Sequence, residues 1–160
     1  MLPPIQNKKI LKDGKDDAIQ KGLPIDYIDF FEGYGLGCID DFLWILCPLT
    51  NNINLNIYYK TAEILAIFDQ NSFDYVEDLI SYIKRNKSFV MAITENGDYI
   101  FYSNLFNHER ITLIDSRFGM GEAYEMGFIE FIFKLLTKEV ISNILPSDFV
   151  FEKKFVLFES

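Results

Sequence analysis

The chain has 160 residues, 49% of them apolar and 24% charged, with a formal net charge of −9; that is one domain's worth of sequence, enough to bury a core without staples. Two cysteines are too few for a disulfide scaffold, a single histidine rules out any site built from two, and no apolar run approaches the roughly 18 residues of a membrane span. The negative charge repels nucleic acid and anionic lipid and attracts basic partners.

The opening Met1-Leu2-Pro3-Pro4 runs into polar residues with no apolar stretch. This predicts a protein without a secretory signal and a cytoplasmic location. Residues 1–15 read as a frayed N-terminal segment and residues 16–160 as the domain. Asp16–Gln20 is expected to form a short helix. Pro24 suits the first turn of the next one, where Ile25, Tyr27, Ile28, Phe30 and Phe31 make a helical stripe and Asp26, Asp29 and Glu32 face water. Gly33 is expected to end it, and Gly33–Gly37 to form a turn or an irregular edge strand.

Phe42–Leu46 is short, continuous and apolar, and Pro48 closes it, so it reads as a strand. Thr50, Asn51, Asn52 and Asn54 all offer N-caps to a helix over about Ile53–Phe68, with Ile57, Tyr58, Thr61, Ala62, Ile64, Leu65 and Phe68 making a wide inward face. Ser72 or Asp74 is expected to cap a second helix that buries Val76, Leu79, Ile80 and Ile83. Phe89–Thr94 and Tyr99–Tyr102 flank Glu95-Asn96-Gly97-Asp98, a hairpin signature, and the uninterrupted apolar run of the first arm predicts a central strand. Arg110–Asp115 reads as a strand, Gly119 and Gly121 as a loop, and Gly127 precedes a helix through Thr137 with Phe128, Phe131, Ile132, Leu135 and Leu136 on one face. Phe149–Phe158 reads as a last strand or a docked tail. Helices, then meandering strands, then a helix predict a single α+β domain with a largely antiparallel or mixed sheet packed with helices.

Several residues invite chemistry. Gly33-x-Gly35-x-Gly37 resembles a phosphate loop only loosely, because Glu32, Asp40 and Asp41 surround it; a hinge is the better reading. Asp40-Asp41 makes a poor cation clamp, since neighbours on an extended chain point opposite ways. Asn96-Gly97-Asp98 lacks the flanking acids of a calcium loop and reads as turn chemistry. His108 lies in a polar connection and reads as a solvated loop residue. Asp115-Ser116-Arg117 reads as a local ion pair or a turn. Cys38 and Cys47 each lie beside apolar residues and read as reduced core residues. No catalytic residue, cofactor or metal is expected.

Charge is unevenly distributed. Between Gly22 and Ile83 there are ten acids and one base, Lys60, so this segment carries the whole imbalance. Such a segment is either a solvated surface or a face for a basic partner.

Leu23-Pro24-Ile25-Asp26-Tyr27-Ile28-Asp29-Phe30 followed by Gly33-Tyr34-Gly35 resembles the opening of SMI/KNR-like domains of the SUKH superfamily. Ile39–Pro48 is similar to that family's following strand, and Ile93–Tyr102 to its threonine–asparagine–glycine–aspartate hairpin. Phe128–Leu136, Leu145-Pro146 and Phe149 fit its end, so the resemblance covers residues 16–150. Many relatives have a tryptophan at the end of the hairpin strand, where this chain has Phe101-Tyr102.

The resemblance implies a non-enzymatic immunity protein that neutralises a cognate polymorphic or contact-dependent bacterial toxin by direct binding, with a basic, nuclease-like toxin domain as partner. It implies no direct contact with nucleic acid or membrane. A regulatory or scaffold domain, as in fungal relatives, and a small-molecule binding module are the alternatives. The oligomeric state is left open. Asp40, Asp41, Tyr34, Tyr58, Tyr59, Glu122 and Tyr124 are the candidate toxin interface, with Trp44 a further aromatic anchor.

Overall fold

A computed structural model describes residues 14–149, 152 and 154–158. The expected frayed segment lies outside the described residues up to position 13. Gly14 precedes helix α1 (Lys15–Gln20), and Lys15 pairs with Asp29 and Glu32 on the next helix.

That helix, α2 (Ile25–Tyr34), runs one residue past the expected stop. Gly33 is accommodated inside it, and the residue that needs left-handed backbone is Gly35, at φ +78°. Its amide donates to the Phe31 carbonyl and closes the last turn. Tyr27, Ile28 and Phe31 are buried, and the Tyr27 hydroxyl donates to the Leu46 carbonyl.

Strands β1 (Gly37–Ile39) and β2 (Leu43–Ile45) form a hairpin. Asp40 and Asp41 are not extended, as the sequence reading assumed. Both have φ +53°, and the Phe42 amide donates to the Ile39 carbonyl, the pattern of a primed turn. Aspartate tolerates left-handed backbone better than most side chains, which explains the pair at this position.

The next helix, α3 (Ile57–Gln70), begins four residues later than its periodicity predicts. None of the expected caps serves it. Asn52 holds a turn through the amides of Asn54 and Leu55, and Leu55 and Ile57 bond back to Cys47 at the end of β2. Asn56 is the cap. Its side-chain oxygen accepts from the amides of Tyr58 (2.9 Å) and Tyr59 (3.3 Å), and its amide nitrogen donates to the Thr50 carbonyl. Helix α4 (Glu77–Arg85) likewise uses neither Ser72 nor Asp74 as a cap. A turn from Val76 to the Phe73 carbonyl starts it, and Glu77 and Asp78 complement the helix dipole in its first turn.

Strands β3 (Phe89–Thr94), β4 (Tyr99–Leu105), β5 (His108–Ile114), β6 (Gly121–Tyr124) and β7 (Phe155–Leu157) complete an antiparallel sheet among the described residues, in the order β6-β5-β4-β3-β2-β1-β7. The expected central strand is the middle one. A bulge at Met91 breaks its register with β4, and Thr61 of α3 fills the gap by accepting from the Val90 amide at 3.0 Å.

His108 starts β5 instead of lying in a loop. Gly121 starts β6 instead of marking a loop; a side chain there would collide with Leu79 of α4. The Glu95–Gly97 turn places only Gly97 at positive φ (+85°), because its three-residue loop closes as a turn plus glycine bulge. Residues 155–157 form the last strand, against β1.

Successive residues of β4 sort the helices into two layers. Phe101 meets Phe68 of α3, and Gly121, on the same face, meets Val76 and Leu79 of α4. Tyr102 faces the other way, as does Tyr124, which packs on Phe131 of α5 (Phe128–Leu136). Tyr27 of α2 meets Phe128 of α5 edge-on. Helix α5 matches expectation, with Gly127 before it and Phe128, Phe131, Ile132 and Leu135 buried. The molecule is an α+β domain with helices on both faces of the sheet. Among the described residues no helix is long and apolar enough to cross a membrane.

The cap assignment has a direct test. Asn56→Ala is expected to lower stability by about 1–2 kcal/mol in urea unfolding, and Asn54→Ala by a few tenths at most. Equal losses at the two positions would contradict the cap.

Candidate functional site

The β1–β2 turn, the β3–β4 turn, the β5–β6 loop and the entry to β7 all fall at one end of the sheet, because the strands are antiparallel neighbours. Hydrogen bonds join them into a rim. Asp40 and Lys154 exchange bonds, with Asp40 N to Lys154 O at 2.8 Å and Lys154 N to Asp40 Oδ1 at 2.5 Å. The Glu95 amide donates to the Phe42 carbonyl at 2.7 Å. Ser116 donates its amide to Asp98 Oδ1 at 2.9 Å. Asp98 is buried; its other oxygen accepts from the Thr94 hydroxyl at 2.7 Å, and its amide donates to that hydroxyl. Asp115 accepts from the amides of Gly119 and Met120 and shapes the β5–β6 loop, the turn role expected of it.

Two open cavities lie on this rim. One, of about 380 Å³, is bounded by Asp40, Asp41, Asp148, Glu152 and Lys154, with Phe42 and Phe149 against each other at its side. The other, of about 460 Å³, is bounded by Asn96, Asp98, Asp115, Arg117 and Asn143. The described rim residues include seven acids (Asp40, Asp41, Glu95, Asp98, Asp115, Asp148 and Glu152) and two bases (Arg117 and Lys154). Asp41, Glu95, Asp115, Asp148 and Glu152 form no ion pair with a described residue. Trp44 borders the rim and donates its indole N–H to Glu95 at 3.2 Å.

The expected interface residues do not share one face. Asp40 and Asp41 sit on the rim. Tyr34 lies beside it, half-buried between Phe30 and Phe155. Tyr58 and Tyr59 start α3 at the opposite end, next to Cys47. Tyr58 lies under Lys21, 4.6 Å from the ring centre, and its buried hydroxyl has no hydrogen-bond partner among the described residues; burial pushes its pKa up. Tyr59 is 63% exposed.

Glu122 and Tyr124 lie on the edge strand β6, five strand spacings from β1, or about 24 Å. They form a clasp. Glu122 accepts from the Tyr124 hydroxyl (2.7 Å), the Ser142 hydroxyl (2.6 Å) and both the backbone amide and the side-chain amide of Asn143. Burial pushes the Glu122 carboxyl up, and these donors outweigh it, leaving its pKa below the ordinary value. Burial, then the hydrogen bond to Glu122 and its charge, raise the Tyr124 phenol.

The exposed aromatics are ones the sequence pattern could not separate from core. Tyr75, just before α4, is 87% exposed, and Phe106 is 93% exposed. Phe106 and Asn107 form the β4–β5 turn at φ +53° and +62°, at the sheet's other end. Left-handed backbone costs an aromatic residue about 1–2 kcal/mol, and no packing around Phe106 offsets it. His108, beside it, is exposed and pairs with Glu125 at 2.5 Å. The two thiols are buried and free, and burial pushes Cys38 to about 12 and Cys47 to about 11, so both stay protonated near neutral pH and are poor nucleophiles or ligands. Among the described residues no cluster of three or more His, Cys, Asp or Glu side chains is arranged to hold a metal ion.

No protein-family model, curated protein or solved structure matches this chain. The class that the fold defines is therefore the structural one: an antiparallel sheet between two helical layers, with a stapled acidic rim at one end.

The clasp predicts a pH-dependent effect. A carboxyl whose folded pKa is depressed contributes stability above its unfolded pKa and loses it as pH falls through the folded value. Glu122→Gln is expected to cost about 1 kcal/mol at pH 7, after allowance for its partial exposure. The gap to wild type should close as pH falls from about 5 towards 3. Urea midpoints that differ equally at pH 7 and pH 3 would contradict the clasp.

Proposed function

We propose that this protein is an immunity protein of the SUKH type, which binds a basic toxin domain of the nuclease class and blocks it by occupying its phosphate-binding cleft. The resemblance of residues 16–150 supplies the family. Its quoted segments fall on α2, the β1–β2 hairpin, the β3–β4 hairpin and α5. The observation that carries the reading is the charge. The chain's whole excess of nine negative charges arises between residues 22 and 83, and of the ten acids there nine are exposed and Asp40 is half-buried.

Physical chemistry connects that surface to the role. A nuclease holds phosphate with lysine and arginine, so its cleft is a positive surface. A negatively charged protein is steered into such a cleft, and charge complementarity raises the association rate more than the affinity. An antidote gains from rapid capture, since the toxin is harmful from the moment it arrives. The rim is also held by hydrogen bonds before any partner comes, which reduces the ordering cost of binding.

Blocking is expected to be stoichiometric. Titrated against its basic nuclease partner, the protein should abolish cleavage at one equivalent without being consumed. An undiminished cleavage rate in tenfold excess, across the nuclease domains tested, would speak against the reading. Stopped-flow association with that partner should slow by about tenfold or more between 10 mM and 150 mM salt, as the Debye length shrinks from about 30 Å to about 8 Å. A rate indifferent to salt would remove the electrostatic argument.

A further inference from the structure

We infer that the stapled acidic end of the sheet, together with the α3–α4 connection beside it, is the surface that receives the basic partner, and that Tyr75 is its anchor. The inference rests on the binding role proposed above and places that role on the molecule.

The α3–α4 connection belongs to the same end. Phe73 packs against Phe118 of the β5–β6 loop with ring centres 4.3 Å apart, and Val76 and Leu79 rest on Gly121 where β6 begins. Tyr75 stands between those two contacts. Its neighbours in sequence hold the chain to the sheet, while its own side chain is 87% exposed. Met120, 48% exposed on the adjoining loop, adds apolar surface.

The exposed ring on a pinned segment has the properties of a binding anchor. Tyrosine has few rotatable bonds, a large apolar area and a polar tip, so it gains contact at low entropic cost. Hot spots are enriched in tyrosine for that reason.

The charge around it selects the partner. Asp74, Glu77 and Asp78 surround Tyr75 in sequence, are exposed, and form no ion pair with a described residue. Lys84, which lines a small cavity together with Asp74 and Glu77, is already engaged by Asp69 at 2.6 Å and by the Phe68 carbonyl. Glu77 and Asp78 also stabilise the start of α4, and that role leaves their outer oxygens open to a partner.

A guanidinium from the partner can lie over the Tyr75 ring while these carboxylates accept its N–H groups. From β1 to β6 the rim spans about 24 Å. Other faces fit less well. On α2, Asp29 and Glu32 share Lys15, and at the opposite end of the sheet Glu125 is paired with His108 and Arg110.

A hexa-arginine peptide serves as the probe, titrated into the isotopically labelled full chain and followed by amide shifts. The largest shifts are expected at residues 40–42, 74–78, 95–97 and 115–120. Tyr75→Ala is expected to weaken peptide binding about two- to fivefold without changing the melting temperature, because the side chain is outside the core. Shifts concentrated on α2 or on the 104–109 turn, or unchanged affinity in Tyr75→Ala, would overturn the assignment.

The basic nuclease partner provides the second arm. If it is captured and blocked equally well by Tyr75→Ala and by the rim variant Asp41→Asn/Asp148→Asn, the immunity role stands and this surface is wrong. If no basic nuclease binds while the peptide maps as expected, the surface stands as a cation-binding face and the immunity role fails.

Discussion

The buried Asp98 carboxylate is the constraint on which the end of the sheet depends. One oxygen holds the Thr94 hydroxyl and closes the β3–β4 hairpin; the other holds the Ser116 amide and ties that hairpin to the loop beyond β5. A buried carboxylate is costly unless its lone pairs are engaged. Here the engagement also fixes geometry, because the donors come from different turns. From Glu95 the chain of bonds continues to Phe42, and from Asp40 to Lys154. Four connections that would otherwise move separately become one edge.

That edge changes the meaning of the acidic residues. A carboxylate on a free loop is solvated and contributes little. Carboxylates held at fixed spacing present a field that a basic surface can match without first ordering the loops. The left-handed Asp40-Asp41 pair turns the chain so that the Asp40 backbone and carboxylate meet Lys154 while Asp41 stays exposed. The Glu122 clasp does comparable work further along, fixing residues 142–143 to β6. It is a brace, and it engages the Glu122 carboxylate and the Tyr124 hydroxyl within the fold.

Local patterns in the sequence already carried much of the fold. The apolar run Phe89–Thr94, beside the Asn-Gly turn, reads as a central strand covered on both faces, and it is the middle strand. Helix α5 followed from the spacing of Phe128, Phe131, Ile132 and Leu135 after Gly127. Helix starts were less legible. Thr50, Asn51, Asn52, Asn54 and Asn56 can all cap, and the choice of Asn56 depends on a bridge to Cys47 nine residues earlier. Gly121 looked like a loop residue because its real partner, Leu79, is 42 positions away.

By itself the sequence determined the α+β class, the central hairpin, the reduced cysteines and the acidic balance, since each rests on periodicity, composition or a turn that neighbouring residues decide. Only the tertiary structure decided which acids stand together and which aromatics reach solvent. Asp41, Asp148 and Glu152 meet across more than a hundred residues. Tyr75 and Tyr124 share a residue type, yet one stands clear of the core while the other packs on Phe131. A side chain's exposure is set by what lies over it, and that comes from parts of the chain no local pattern can read.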